Sequence, residues 1–316
     1  MPPLDRAPRR VPAGGMARQP NAPTDVERRL VDAGAAILSD AASKPDFLHA
    51  AMTSAFLPMR DPGPQTVWER RSGAAALRLE AGAILDPATG DFRPVGLPFG
   101  TKARLVTIHL TSQALRSGSP VVEVEDSLTA YTRALGLSVD GRAVRAVREQ
   151  LGRLAAATVR LGYVEGGRAT QVNGSIIAGL DLWAPRDPRQ RGLWPSVVRL
   201  SDAFFADVQR HAIPLDHRAV AALSNSALGL DAYVWLAGRL HRVPVTKPQA
   251  VSWVALHQQF GQGFSRLRKF RETFTDTLRR VGAVYPAARV DADEAGLILH
   301  HSPPPVAARP PRLSRG

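Results

Sequence analysis

Apolar residues recur at helical spacing in two stretches of this chain. In the first, the separations are three, four and three residues, at Val144, Val147, Leu151 and Leu154. In the second, the separations are seven, four and three residues, at Leu267, Phe274, Leu278 and Val281. Spacings of this kind place side chains on one face of a helix. The pattern therefore predicts amphipathic helices over 141–157 and 264–281, each with one buried stripe.

Each of these helices follows a shorter predicted helix and a turn, and each precedes two β-rich runs. After the first helix, the runs flank Gly166-Gly167, a pair typical of a tight hairpin turn. After the second helix, the runs flank a polar turn over 291–294. Helix, turn and helix followed by a β-hairpin is the winged-helix plan. We therefore predict two winged-helix domains, over 97–183 and 196–301.

The residues before the first domain, 24–96, form a predicted N-terminal helical and β extension. Thr24 and Glu27 have the spacing of a capping box, which predicts the start of a helix. The apolar run over 47–57 indicates a short helix that stops at a proline. Alternating apolar and polar residues over 76–82 indicate a small β element.

The two ends of the chain have a different composition from the rest. Residues 1–23 and 302–316 are rich in Pro and Arg and contain few residues that could form a core. Such segments cannot bury enough apolar surface to fold, so we expect disordered basic tails. The predicted fold class is α+β, mostly helical, with two tandem winged-helix domains between these tails.

Charge is concentrated in a few segments. The 316 residues include 41 Lys and Arg against 28 Asp and Glu, a net charge of +13. Each predicted tail has a net charge of +3. The segments 140–168 and 264–280 have net charges of +3 and +4, and together they equal the net positive charge of all residues between the tails. Localised positive charge on helices is typical of proteins that bind nucleic acid phosphates.

Composition also excludes several classes of protein. The chain has no cysteine, which rules out disulfides, zinc–thiolate sites and cysteine nucleophiles. It contains no apolar run of about 20 residues, and its N-terminus lacks the apolar stretch of a secretory signal. We expect a cytoplasmic protein that does not enter a membrane.

Seven basic residues on the two amphipathic helices are candidate DNA contacts. They are Arg266, Arg268, Lys269 and Arg271 on the second helix and Arg142, Arg145 and Arg148 on the first. An arginine fork matches the two acceptors of guanine in the major groove, whereas other basic side chains contact phosphate. The alternative is a solvated helix face, which is the usual role of a run of charges.

Enzymatic roles have weaker support. Asp291-Ala292-Asp293 has the form of a metal-binding motif, but its position between two β runs favours a hairpin turn. No phosphate-binding GxxxxGK[ST] loop occurs. We expect a protein that is not an enzyme and that has no cofactor and no metal. A metal-dependent nicking or priming enzyme is the weaker alternative.

Short strings in this chain resemble those of plasmid-encoded RepA-type replication initiators, and the resemblance covers about residues 45–306. In the first half they are Leu97-Pro98-Phe99-Gly100, Ala103-Arg104-Leu105, Asp126-Ser127-Leu128, Leu135-Gly136-Leu137 and Arg148-Glu149-Gln150-Leu151-Gly152-Arg153-Leu154. In the second half they are Leu228-Gly229-Leu230-Asp231-Ala232-Tyr233-Val234-Trp235-Leu236-Ala237, Ser252-Trp253, Gln259-Phe260-Gly261, Phe270-Arg271, Tyr285-Pro286 and Ser302-Pro303-Pro304-Pro305-Val306. The order and spacing of these strings carry the resemblance.

The resemblance implies a protein that binds repeated double-stranded sites in a plasmid origin, helps to open the duplex and recruits host replication proteins such as a helicase or initiator. It also implies a role in copy-number control and a homodimer formed through the first domain. A winged-helix transcriptional regulator is the alternative that binds DNA without starting replication.

Overall fold

The structure is a computed structural model that describes residues 24–40, 45–53, 57–72, 75–86, 89–124, 127–183 and 194–306. Within these residues the α-helices are α1 (Asp25–Ser39), α2 (Gly100–Ser117), α3 (Leu128–Ala134), α4 (Gly141–Ala156), α5 (Asp202–His211), α6 (His217–Ala222), α7 (Ala227–Arg239), α8 (Trp253–Phe260) and α9 (Leu267–Val284). The strands are β1 (Pro45–His49), β2 (Val67–Ser72), β3 (Ala75–Glu80), β4 (Ala83–Leu85), β5 (Phe92–Pro94), β6 (Val121–Glu123), β7 (Thr158–Glu165), β8 (Arg168–Gly174), β9 (Ile177–Trp183), β10 (Trp194–Leu200), β11 (Ala212–Asp216), β12 (Gln249–Ser252), β13 (Val290–Ala292) and β14 (Gly296–Leu299).

The last part of the C-terminal half, residues 194–306, contains the helices α7, α8 and α9, which pack on a three-stranded sheet of β12, β13 and β14. β14 lies between β12 and β13 and is antiparallel to both. The rings of Trp235, Phe260 and Phe274 join α7, α8 and α9, with centroid distances of 5.4 Å and 4.9 Å between successive rings. Because these rings are buried, the third helix of the group is fixed against the other two by apolar packing.

In the N-terminal half, residues 24–183, the stretch from α2 to β8 has the same order of helices and strands as the stretch from α7 to β14, but its hairpin belongs to a different kind of sheet. The hairpin β7–β8 that follows α4 pairs with the hairpin β2–β3, which gives a four-stranded sheet in the order β2–β3–β7–β8. The short strand β6 pairs instead with β10, and β10 also pairs with β9. The hairpin expected to act as a wing of the first domain is therefore extended by two strands from the N-terminal extension.

The turn of the β7–β8 hairpin is the one that its sequence predicts. Gly166 and Gly167 both have positive φ angles, of 57° and 81°. A two-residue hairpin turn of this type needs positive φ at both positions, which glycine adopts without steric cost. Glu165 and Arg168 are paired across the turn.

Besides the pairing of β10 with β6 and β9, the two halves of the chain are joined by the strand pair β1–β11 and by a buried ion pair. β1 is antiparallel to β11, with Pro45 opposite Asp216 and His49 opposite Ala212. The helix predicted over 47–57 is therefore wrong: its first residues belong to β1, and a single 3₁₀ turn follows at Ala50–Thr53. The physical reason is that pairing with a distant strand satisfies the backbone groups of this apolar run.

Arg104 of α2 and Asp231 of α7 form the ion pair between the halves. Both side chains are buried, and Arg104 Nε and Nη2 donate to the two carboxylate oxygens of Asp231 at 2.6 Å and 2.7 Å. Arg104 Nη1 also donates to the carbonyls of Pro58 and Gly100, and its Nη2 donates to the carbonyl of Leu57. All five N–H groups of this guanidinium therefore have acceptors.

The ends of the described chain are tied to the fold. α1 begins with the predicted capping box of Thr24 and Glu27 and packs against α6 and α9. Ser302, assigned above to the C-terminal tail, is buried and accepts a hydrogen bond from the Arg289 amide at 3.0 Å. The predicted tail boundary at 302 is thus too early, since residues 302–306 lie on the fold. Residues 1–23 and 307–316 are outside the described residues.

Among the residues that the structure describes, no helix is both long and apolar enough to cross a membrane.

Burial of His109 predicts a pH-dependent stability. Burial lowers the pKa of His109 to about 4, and its neighbours in this pocket are Asp46, Arg116 and His217. The unfolded chain binds a proton below its ordinary pKa of about 6.5, whereas the folded chain does not until about pH 4. The free energy of unfolding should therefore fall as pH decreases between these values.

We expect the His109→Gln variant to lose about 2 kcal/mol less stability than the native chain between pH 7.5 and pH 5.0. Urea unfolding followed by circular dichroism at the two pH values measures this difference. Equal losses in the two proteins would show that His109 is not held neutral by burial.

Candidate nucleic-acid interface

Helix α9 presents one apolar and one basic face. Phe270, Phe274 and Val281 are fully buried against the C-terminal core. On the outer face, the side chain of Arg268 is 91% exposed and that of Lys269 is 69% exposed. The apolar stripe thus fixes the helix in the fold and leaves two cations of its first turn in solvent.

The acidic residue nearest to these cations does not neutralise them. Arg268 Nε lies 3.6 Å from one carboxylate oxygen of Glu272, and Lys269 Nζ lies 3.4 Å from the other. One negative charge thus faces two positive charges. Exposed pairs of this kind contribute about 0–1 kcal/mol, so a phosphate could replace the carboxylate at low cost.

Arg266 and Arg271, the other two candidates of this group, occupy different positions from those predicted. Arg266 is the N-cap residue of α9, with φ of −124°, and so precedes the helix rather than lying in it. Arg271 stacks over the ring of Trp253 at 5.3 Å and donates to the backbone carbonyls of Asp293 and Glu294. Because Arg271 holds the β13–β14 turn against α9, its guanidinium is already engaged within the protein.

The groove between α9 and the β13–β14 turn has a mixed lining. On the helix side, Arg268, Lys269 and Arg279 outnumber the acidic Glu272 and Asp276, whereas the charged residues on the turn side, Asp293 and Glu294, are both acidic. Carboxylates on the turn repel phosphate. The geometry therefore favours the N-terminal turns of α9, rather than the hairpin turn, as the cationic contact of this half.

Helix α4 exposes the candidate residues of the N-terminal half. Arg142 and Arg145 are exposed on its first two turns, while Arg148 is half-buried. Asp140 caps the helix, accepting from the amides of Arg142 and Ala143 at 2.9 Å and 2.8 Å. These hydrogen bonds lower the pKa of the Asp140 carboxyl. The cap fixes where the basic face of α4 begins.

Arg153, further along α4, is a structural residue. It pairs with Glu149 at 2.5 Å, donates to the carbonyl of Leu97 at 3.0 Å and stacks over the ring of Phe99. The Arg153 side chain thus faces inward, with 14% of it exposed, and also pairs with Glu149.

A third basic region was missed by the sequence reasoning. A groove of about 570 Å³ lies between β2 and the C-terminal half, and its charged lining residues are Arg71, Arg239 and Asp293. Arg239 also stacks over Trp235 at 5.7 Å. The only signal in the sequence was the Arg70-Arg71 pair, and nothing local places it beside Arg239, which is more than 160 positions away.

The metal-binding motif considered in the sequence forms a turn. Asp293 Oδ1 accepts from the amides of Ala295 and Gly296, both at 2.8 Å, and Asp291 contacts His300 at 2.8 Å. Within the described part of the chain, no group of three or more His, Cys, Asp or Glu side chains is placed to hold a metal ion.

Comparison of the fold with solved structures identifies a similar architecture. A crystal structure of selenomethionine derivatives of domains 2 and 3 of RctB has a TM-score of 0.51 at 11% identity, covering 80% of this chain and 98% of that chain. A second structure, of RctB domains 2–3, has a TM-score of 0.48 at 11% identity, covering 79% and 94%. At this level of identity the first likeness concerns the fold alone.

Comparison of the sequence with family models gives the family itself. No curated protein sequence matches the chain. The family model described as plasmid encoded RepA protein matches residues 97–255, which is half of the chain and includes α4 and the ion pair between Arg104 and Asp231. The chain therefore belongs to the plasmid-encoded RepA protein family, the replication-initiator family that its sequence motifs resemble.

Proposed function

We propose that this protein starts plasmid replication by binding repeated double-stranded sites in a plasmid origin. In this proposal the protein helps to open the adjacent duplex and recruits host replication proteins, without catalysing a reaction. The observation that carries the proposal is the exposed pair of cations, Arg268 and Lys269, on a helix whose opposite face is buried.

The order of elements supports a winged-helix role for the C-terminal half. α7, β12, α8, α9 and the hairpin β13–β14 follow one another as helix, strand, helix, helix and wing. In winged-helix proteins the helix before the wing enters the major groove. We assign α9 this role, with Arg268 and Lys269 as its DNA contacts and Arg266 as a flanking phosphate contact.

We assign α4 the corresponding role in the N-terminal half. Its exposed Arg142 and Arg145 would contact the backbone of the same duplex. Arg148 lies on the same helix but is half-buried, so its share of the contact should be smaller. Two basic helices on one chain would suit an origin that presents binding sites in repeats.

Three parts of the proposal concern partners and regulation. From membership of this family we propose a homodimer, contact with a host helicase or initiator, and copy-number control. Opening of the duplex would use an AT-rich segment next to the binding sites, because the TA steps within it unstack at low energetic cost.

A mobility-shift assay tests the proposal. The purified protein should bind DNA that flanks its own gene more tightly than scrambled DNA of equal length. The logarithm of the binding constant should fall linearly with the logarithm of salt concentration, by about 0.9 per phosphate contacted. Equal binding to both DNAs would contradict site recognition.

A replication assay separates the initiator from the regulator. A minimal plasmid carrying this gene and its flanking DNA should replicate in a suitable host. Specific binding without replication would support the alternative, a transcriptional regulator, and would overturn the initiator proposal.

A further inference from the structure

Glu272 lies at the centre of the exposed face of α9. It is two positions from both Phe270 and Phe274, which are fully buried. Because successive residues of an α-helix are about 100° apart, a residue two positions from each of them lies on the opposite side of the helix. The side chain of Glu272 is 51% exposed, and its carboxylate lies between Arg268 and Lys269 of the preceding turn. The two cations proposed to contact DNA therefore share their face of α9 with an acid.

The ion pairs of Glu272 are loose. Its carboxylate oxygens lie 3.6 Å from Arg268 Nε and 3.4 Å from Lys269 Nζ, longer than the about 2.7–2.9 Å of a charge-assisted hydrogen bond. A glutamate that follows its basic partner along a helix is also in the less stabilising order. Asp276, one turn further on, differs because it pairs with Arg279 at 2.6 Å. Stabilisation of the helix therefore accounts poorly for Glu272, whose carboxylate can change partner when the cations do.

Binding of DNA by the two cations would leave the Glu272 carboxylate in a new environment. Phosphates repel it, so its favourable partners on the duplex are the amino groups of bases in the major groove. Adenine presents its N7 acceptor beside its amino group, and this acceptor repels a carboxylate. Cytosine presents the amino donor alone. Cytosine is therefore the base that a carboxylate at this position complements.

We propose that Glu272 is a specificity-determining residue of α9, whose carboxylate accepts a hydrogen bond from the amino group of one cytosine in each binding site. This inference rests on the proposed function and deepens it by naming a base of the site. On DNA without cytosine at this position, the carboxylate is left unpaired near the phosphates. Glu272 therefore weakens binding to unrelated sequences, and the acid on the basic face increases discrimination at a cost in affinity.

The helix geometry also predicts where this cytosine lies. Arg268 and Glu272 are four positions apart, so their Cβ atoms are about 6 Å apart on one side of the helix. Successive nucleotides of a DNA strand are separated by about 3.4 Å along the axis. The cytosine should therefore lie within about two base pairs of the nucleotide that Arg268 contacts.

A specificity scan tests the proposal. The segment of flanking DNA that native protein protects from nuclease is changed one base pair at a time, and each affinity is measured by mobility shift. Native protein should lose affinity about ten-fold or more when one particular cytosine and its paired guanine become adenine and thymine. Glu272→Gln should prefer adenine at that position, because a side-chain amide matches both its amino donor and its N7 acceptor. Glu272→Ala should bind both sequences equally and bind unrelated DNA about three-fold more tightly than native.

Asp276→Asn is the matched control, since it removes the same charge from the same helix at a carboxylate that Arg279 holds. It should keep the base preference of native protein. Native preference at every position in Glu272→Gln, the same relaxed position in Asp276→Asn, or a native site without such a cytosine would each overturn this inference while the proposed function stands. A native protein without any sequence preference would overturn both proposals.

Discussion

The Asp231→Asn variant should lose about 3–5 kcal/mol of stability, the largest effect that we expect from a single substitution in this chain. The reason is the position of Arg104, whose guanidinium is buried and whose partner is this carboxylate. Removing one member of a buried ion pair leaves an uncompensated charge in a medium that solvates it poorly. The three backbone carbonyls that Arg104 also contacts would remain, but they carry no net charge.

Two controls distinguish this buried pair from ion pairs in general. Arg279 and Asp276 form an exposed pair at 2.6 Å on α9, and Asp276→Asn should change stability by less than about 1 kcal/mol. A double variant, Arg104→Met with Asp231→Leu, should be more stable than Asp231→Asn alone because it removes both charges. Urea unfolding of the three variants gives these free energies. A loss in Asp231→Asn no larger than that in Asp276→Asn would contradict this account.

The ion pair also bears on function, because it connects α2 of one half with α7 of the other. If the contact between the two halves unfolded in part, α4 and α9 would no longer be held in a fixed arrangement. We therefore expect Asp231→Asn to weaken binding to DNA that carries two sites more than binding to DNA that carries one. Native and variant protein compared on these two DNAs in a mobility shift provide the measurement.

Local patterns predicted the elements that depend on local physics. The stripes of α4 and α9 are set mostly by residues three and four positions apart, and both helices are found within three residues of their predicted ends. The predicted stripe of α9 was wrong at its first position, since Leu267 is 41% exposed. The Gly166-Gly167 turn is set by two φ angles. Features of this kind depend on a window of a few residues, which a single sequence contains in full.

Pairing over long distances decided the rest of the fold. The run that starts β1 has an apolar pattern that suits a helix, and only its pairing with β11, more than 160 positions away, makes it a strand. The joining of β3 to β7 has the same origin. Nothing near these segments in the sequence indicates which strand each of them pairs with, so the strand pairing between the halves could not be predicted.

In the candidate site, too, the sequence predicted the features that depend on local spacing but not those that depend on distant contacts. Helical spacing predicted the helix that carries Arg268 and Lys269, and the structure shows both side chains exposed on α9. It could not show that Arg271 reaches the carbonyls of Asp293 and Glu294, because that contact depends on the β13–β14 hairpin folding back onto the helix. One of the four basic residues on this segment is therefore a structural contact.

Reversing the two exposed charges of α9 should weaken specific DNA binding by about two orders of magnitude at moderate salt. The variant Arg268→Glu with Lys269→Glu replaces two attractions to the DNA with two repulsions and leaves the buried face unchanged. Both side chains are exposed, so the stability of the fold should change little. Binding is measured by mobility shift, and folding of the variant is checked by thermal unfolding.

The control is a substitution of the same chemistry on a different surface. Arg28 is an exposed arginine of α1 that pairs with Asp25, as Arg268 pairs with Glu272. Arg28→Glu should leave affinity within about three-fold of native, since α1 has no assigned DNA contact. If it weakens binding as much as the α9 variant does, net charge rather than a localised surface governs affinity, and α9 is not the reading helix.

Single alanine variants then separate the two roles that a basic side chain can have. If Arg268 or Lys269 binds a phosphate, its replacement by alanine should weaken binding to all sequences and reduce the salt slope by about 0.9. Replacing a residue that binds a base should instead relax discrimination at one position of the site, by about 1–3 kcal/mol, with little change in slope. Arg268 is the better candidate for base contact because its planar fork matches the two guanine acceptors, whereas Lys269 offers a point charge. An unchanged slope and unchanged specificity in both variants would remove α9 from the interface.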